Sequence, residues 1–166
     1  MAEAIADTGP FLHLTEIGQL DILNIFDRLK VPNLVAVELD AYGVDLSTRK
    51  FPHIEFVNVE ESQWQQVISS SKHLAIHPAD AQVFVLAQSN NFLKLVLSDD
   101  LDLRRLLESH NATVVGSVGL LVRAYKLGRL EYDALAESIN ALFTNSTLYI
   151  SRAFKVYVEK LIEDLK

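Results

Sequence analysis

Residues 5–10 read Ile5-Ala6-Asp7-Thr8-Gly9-Pro10: a short apolar run, an acid, then a Gly-Pro pair. An apolar run this short, closed by turn residues, reads as a strand buried on both faces of a sheet. Gly9 and Pro10 suit a tight strand-to-helix turn, which would leave Asp7 at the rim of that sheet. Taken alone, Asp7 is as well explained as a turn or cap residue as by any chemistry.

The same pattern recurs along the chain. Ala4–Ala6, Leu29–Val31, Ile54–Val57, Leu95–Leu97 and Thr113–Val115 are the strand candidates. The third alternates, with His53 and Glu55 set against Ile54 and Phe56. Helical signals fill the intervals. Pro32 and Asn33 open one helix, and Asn58 with Glu61 resembles a capping arrangement for another that carries Trp64, Val67 and Ile68. Pro78 suits the start of a helix over 79–90. Ser117 is placed to cap Val118–Leu127, with Gly128 as terminator. Glu131–Phe143 and Ser151–Leu165 complete the series. Strands alternating with helices predict an α/β fold, a three-layer α/β/α sandwich around a mostly parallel sheet. In such sheets, ligands bind at the carboxyl ends of the strands.

Composition narrows the chemistry. The chain has 166 residues, 49% of them hydrophobic, which fits one ordinary domain. It divides into residues 1–144, the main body of the domain, and 145–166, a C-terminal helical extension of the same domain. There is no Cys, which excludes a thiol nucleophile and a Cys-zinc site and suits a reducing, cytoplasmic setting. The N-terminus lacks a basic segment followed by an apolar one, so no signal peptide is expected, and no apolar run reaches the ~20 residues of a membrane helix. The net charge of −7 argues against broad adhesion to nucleic acid, though a site built of acids would itself attract cations.

Four acids stand where chemistry is expected. Asp7 follows the first strand. Leu95-Val96-Leu97-Ser98-Asp99-Asp100-Leu101-Asp102 follows the same plan, and three acids in four positions exceed what a helix cap needs. Asp100 is spaced to share the face of Leu103 and Leu107, with Asp99 and Asp102 towards the periphery, although a single residue of register separates the three as the fourth acid. Glu38 lies among Leu34, Val37, Ala41 and Tyr42 at helical spacing, and Asp80 shares a face with Val83, Phe84 and Ala87. The plainer reading of both is a solvated helix acid. Buried together, however, such carboxylates require cations or a shared proton.

Other sites are poorly supported. There is no GxGxxG or GxxxxGK[ST] loop, no HExxH and no GxSxG. His13, His53, His73, His77 and His110 read mainly as surface or capping residues, with His77 set apart by its position three before Asp80. A small Mg-dependent phosphohydrolase is disfavoured, because no second Asp follows two residues after Asp7.

These segments resemble those of a PIN-domain protein of the VapC-like group found in prokaryotic toxin–antitoxin pairs. The similar stretches are 5–12, 31–39 (Val31-Pro32-Asn33-Leu34-Val35-Ala36-Val37-Glu38-Leu39), 78–87, 97–103 and 113–121. The resemblance implies a Mg²⁺- or Mn²⁺-dependent ribonuclease, often dimeric, with RNA as substrate and an antitoxin protein as a further partner. By position it makes Asp7, Glu38, Asp80 and Asp100 the catalytic acids. Metal ligation falls to Asp7, Asp80, Asp100 and Asp99, with Thr8 as an accessory group. Gly9 departs from the pattern, where Ser or Asn is commoner. Arg104, Arg105 and Arg123, with Lys126 and Arg129, are candidates to hold the RNA backbone, against a plainer reading as helix-surface charge. An inert module that grips RNA or protein remains the alternative. Phe154, Tyr157, Leu161 and Leu165 form a stripe expected either to pair two subunits or to pack on its own domain.

Overall fold

The computed structural model describes residues 2–47, 51, 53–89 and 95–166. The elements are β1 (Glu3–Ala6), α1 (Thr8–Glu16), a 3₁₀ turn (Leu20–Ile25), β2 (Arg28–Pro32), α2 (Asn33–Ala41) and β3 (Ile54–Val57). There follow α3 (Glu61–Ser70), α4 (Pro78–Ser89), β4 (Leu95–Leu97), α5 (Leu101–Glu108) and β5 (Thr113–Val115), and then α6 (Ser117–Lys126), α7 (Tyr132–Asn145) and α8 (Arg152–Asp164). All five expected strands form. The expected helix end at Asn90 lies outside the described residues.

The strands make one sheet in the order β3-β2-β1-β4-β5, every neighbouring pair parallel. Helix α4 lies against β1, β2 and β4 with α2, α3 and α5 beside it, while α1, α6 and α7 pack together, giving the expected α/β sandwich. From β1 the chain steps outward through β2 to β3, then returns past β1 to β4 and β5. The direction of winding therefore reverses between β1 and β4. Crevices at such reversals, outside the carboxyl ends of the strands, are where open α/β sheets bind ligands.

The sequence explains the central strands. Ala4, Ile5, Ala6, Leu29, Val31, Val96 and Leu97 are fully buried, as apolar runs covered on both faces should be. The alternation expected in β3 does not hold. Phe56 is 53% exposed beside exposed Glu55, because β3 is an edge strand incompletely covered by α2.

Three end signals are also displaced. Asn58 caps nothing, since α3 is entered through Glu60 without a side-chain cap. Ser117 is the first residue inside α6 rather than its cap, which is Gly116. Gly9 and Pro10 lie within the first turn of α1, so Asp7 alone makes the corner. Gly128 does end α6, at φ +70°, a conformation that a Cβ would strain.

Helix α8 joins the core through Val158 and Ile162, not through the expected stripe. Leu161 and Leu165 pack partly against that core. Phe154 and Tyr157 stay exposed and stack on each other, with ring centroids 6.2 Å apart. Among the described residues, no helix is long and apolar enough to cross a membrane.

Candidate active site

Asp7 and Asp100 reach the carboxyl edge for the same local reason. Each is the extended residue between a strand and a helix, and each carboxylate caps the helix it precedes. Asp7 Oδ1 accepts from the Thr8 N–H at 2.8 Å, and Asp100 Oδ1 from the Leu103 N–H at 2.7 Å. Ser98 ties the two together. Fully buried at the end of β4, it donates its hydroxyl to Asp7 Oδ2 at 2.9 Å and accepts from the Asp100 N–H at 3.1 Å. The Asp7 N–H itself bonds the Leu97 carbonyl at 2.9 Å, an extension of the β1–β4 ladder.

Glu38 and Asp80 arrive from helices. Asp80 sits in the first turn of α4, buried, its Oδ2 accepting from the His77 N–H at 2.9 Å. What His77 contributes is thus its backbone, while its side chain is exposed. Glu38 accepts a short hydrogen bond from the Thr8 hydroxyl, which joins α2 to the start of α1. The face on which Glu38 was expected is different from the one observed. Val37, Ala41 and Tyr42 are exposed, the buried residues of α2 are Val35 and Leu39, and Glu38 lies at the border between these faces.

Electrostatics links the four. Burial, and then the charge of Asp80, push the Asp7 carboxyl from 3.8 up to about 7, with Asp100 adding to the rise and hydrogen bonds from Thr8 and Ser98 opposing it. Burial likewise raises Asp80 to about 6, assisted by the charges of Asp100, Glu38 and Asp102 and opposed by the His77 N–H. Among the described residues, none of the four is paired with Arg, Lys or His. Asp80 Oδ1, Asp100 Oδ2 and Glu38 Oε1 have no protein donor among those residues either. Buried carboxylates in this condition either share protons or take a cation.

Their chemistry fits Mg²⁺ or Mn²⁺, which favour hard carboxylate oxygens. No three His, Asp or Glu side chains among the described residues are drawn together around one ion-sized point. An ion would therefore have to pull these carboxylates inward.

The remaining expected residues fall elsewhere. Asp99 is not peripheral. Its side chain is only 9% exposed and accepts from the Ser117 N–H (2.7 Å) and the Ser117 hydroxyl (2.6 Å), with His13 Nδ1 at 2.7 Å. Every one of these partners belongs to the protein, so Asp99 acts as a staple between α1, the β4–α5 corner and α6. The room for it comes from glycines: a Cβ on Gly116 would lie 2.6 Å from Asp99 Oδ1, and one on Gly9 would lie 3.3 Å from Asp99 Cβ. His13, expected at the surface or in a cap, is in fact 12% exposed within this staple. Asp102 accepts from the Ala75 N–H and pairs with Arg105.

The basic candidates are spread over α5, α6 and the residues after it. Arg104 donates to the Val114 carbonyl at 3.0 Å and to Glu108, so much of its donor capacity is spent on β5 and its own helix. Arg105 is 70% exposed. Arg123 lies over the Phe26 ring at 5.3 Å, six residues into α6 and about 9 Å along the axis from Ser117. Lys126, the last residue of α6, and Arg129, just beyond it, are exposed.

Sequence reasoning missed Ser98, Gln82 and Asn33. Gln82 of α4 is 1% exposed and bonds the start of α2 and the segment after β3. Ser98 carried a legible signal, a hydroxyl between a buried strand and a pair of acids. Gln82 carried none.

A five-stranded parallel sheet with helices on both faces and acids at its point of reversal defines an α/β sandwich of the PIN type. The chain belongs to the PIN-domain family, whose model matches residues 3–164. Members of that family are generally nucleases, and those nucleases generally use divalent metal ions. Neither a curated protein nor a solved structure shows significant similarity to the chain.

Proposed function

We propose that this protein is a Mg²⁺- or Mn²⁺-dependent endoribonuclease that hydrolyses RNA phosphodiester bonds at Asp7, Glu38, Asp80 and Asp100. The observation that carries this reading is the pair of buried acids, Asp7 and Asp80, both raised first by burial and then by neighbouring acids, Asp80 acting on Asp7 and Asp100 on both, with no cationic partner among the described residues. A structural aspartate is normally paired, whereas an ion site in the metal-free state is not.

When bound, divalent ions would stabilise the attacking water and the leaving oxygen of an in-line displacement. The residues themselves do the rest. Asp7, Asp80 and Asp100 offer the oxygens for the ions, and Ser98 fixes the separation of Asp7 from Asp100. Thr8 orients Glu38, whose free Oε1 is available to a water at the rim. Asp99, held by Ser117 and His13, is left out of the ligand set in this reading. Arg105, exposed and paired with Asp102 among the described residues, is the basic candidate proposed to turn to an RNA phosphate.

Residues 145–166 count as an extension of the same domain, because Val158 and Ile162 share its core. Pairing of two subunits through exposed Phe154 and Tyr157, and neutralisation by an antitoxin protein, belong to the same reading. The test is Asp7→Asn. The parent should cut single-stranded RNA with Mg²⁺ or Mn²⁺ and lose the activity in EDTA, while the variant should be at least 100-fold slower with an unchanged circular dichroism spectrum. Full activity in the variant, or none in the parent across varied RNAs, would leave the inert module as the better account.

A further inference from the structure

Two of the four acids are fixed by the sheet and two are not. Asp7 and Asp100 follow β1 and β4, which pair directly, and Ser98 bridges them. Glu38 and Asp80 stand on α2 and α4, so their mutual placement depends on how one helix docks against the other. Apolar contacts between helices tolerate sliding, whereas hydrogen bonds fix position and direction.

One buried group supplies that restraint. Gln82 is two residues beyond Asp80 and 1% exposed. Its Oε1 accepts from the Leu34 N–H at 2.9 Å, one of the amides at the start of α2 that have no partner inside the helix. Its Nε2 donates to Asn33 Oδ1 at 3.0 Å and towards the Val59 carbonyl at 3.4 Å. Asn33 Oδ1 also accepts from the Val59 N–H at 3.1 Å. The clamp therefore joins three segments: the second turn of α4, the first turn of α2, and the stretch that leaves β3. Leu34 is four residues before Glu38, directly beneath it on the helix.

We propose that Gln82 is the positioning residue that sets Glu38 against Asp80, acting through Asn33 and Leu34. It touches neither an ion nor RNA. Both ends of the amide are needed, an acceptor for Leu34 and a donor for Asn33, so neither an apolar nor an acidic side chain can replace it. The proposal rests on the reading of the four acids as an ion site, and its effect on that site is second-hand, through geometry.

The test uses Gln82→Met, which keeps length and volume, and Asn33→Ser, which loosens the same clamp from the other side should Gln82→Met fail to fold. Three measurements are made on the full chain: amide exchange at Leu34 and Val59 in metal-free buffer, Mn²⁺ affinity by the free-ion EPR signal, and kcat and KM on RNA. Both amides should exchange faster in the variants. Mn²⁺ Kd should rise roughly tenfold, as for other residues that orient ligands, and kcat should fall while KM stays within about threefold. Faster exchange with Mn²⁺ affinity and kcat within twofold of the parent would make Gln82 merely structural and overturn the proposal alone. A parent that neither binds Mn²⁺ nor cuts RNA would overturn the ribonuclease reading, and this proposal with it.

Discussion

Asp99 and Asp100 are neighbours in the chain with opposite duties. Asp100 turns towards Asp7 and Asp80 and adds to the rise of both, whereas Asp99 turns to Ser117 and His13. Removing the Asp99 carboxylate should strand a buried N–H, a hydroxyl and an imidazole, costing about 2–4 kcal/mol. Asp100→Asn should stay within about 1 kcal/mol of the parent, because Asn caps a helix as well as Asp does, yet it should lose nuclease activity. Urea denaturation of Asp99→Ala and Asp100→Asn beside an RNA cleavage assay separates these roles. Equal stability losses in the two variants would refute the division. The sequence could bring both acids to the rim, since a strand end and a helix start were legible there. It could not say which way each side chain turns, because that depends on Gly116 and His13, over fifteen and eighty residues away. Gln82 was hidden for another reason. Residues 79–83 of α4 are all buried, so no outer face exists against which an inward polar residue would stand out.

At the scale of elements, the strands were readable because each is a short apolar run bounded by turn chemistry. Misreadings arose at edges and ends. Phe56 alternates as a core residue should, but an edge strand has no second helix to cover it. On α8 the buried line runs through Val158 and Ile162 rather than Phe154 and Tyr157, because periodicity gives the spacing of a face and not its rotation. Helix α6 begins where it does because Asp99 takes its first N–H and hydroxyl, a cap supplied from another segment. That contact makes a specific claim about two glycines. Gly116→Ala should drive a Cβ into Asp99 Oδ1 and destabilise the protein by about 1–3 kcal/mol. Gly9→Ser meets only a 3.3 Å contact with Asp99 Cβ and should cost no more than about 1 kcal/mol. Urea midpoints at constant m-value measure both, and a harmless Gly116→Ala would mean that α6 is not seated on Asp99.

The whole molecule should report the acid cluster through the pH dependence of its stability. Asp7 stands at about 7 and Asp80 at about 6 in the folded chain, against 3.8 as the ordinary value. Between pH 4 and 7 the folded state thus holds protons that the unfolded state has released, and stability from these groups falls as pH rises through that window. It is fully present below about pH 4 and gone above about pH 7. Subtracting the curve of Asp7→Asn from that of the parent isolates the Asp7 contribution, because most other titrating groups are common to both. In EDTA at pH 8 the variant should be more stable by about 2 kcal/mol, roughly 4–8 °C in Tm for a chain of this length. Divalent ions seek the same oxygens as the protons, so Mn²⁺ should raise the parent's Tm more at pH 8 than at pH 5. At a hundred times Kd the gain at pH 8 is about 2.7 kcal/mol. Thermal scans of the two proteins at pH 5 and 8, with Mn²⁺ or EDTA, give the full set. A Mn²⁺ shift equal at the two pH values, or equally large in Asp7→Asn, would mean that the ion binds somewhere other than among these acids.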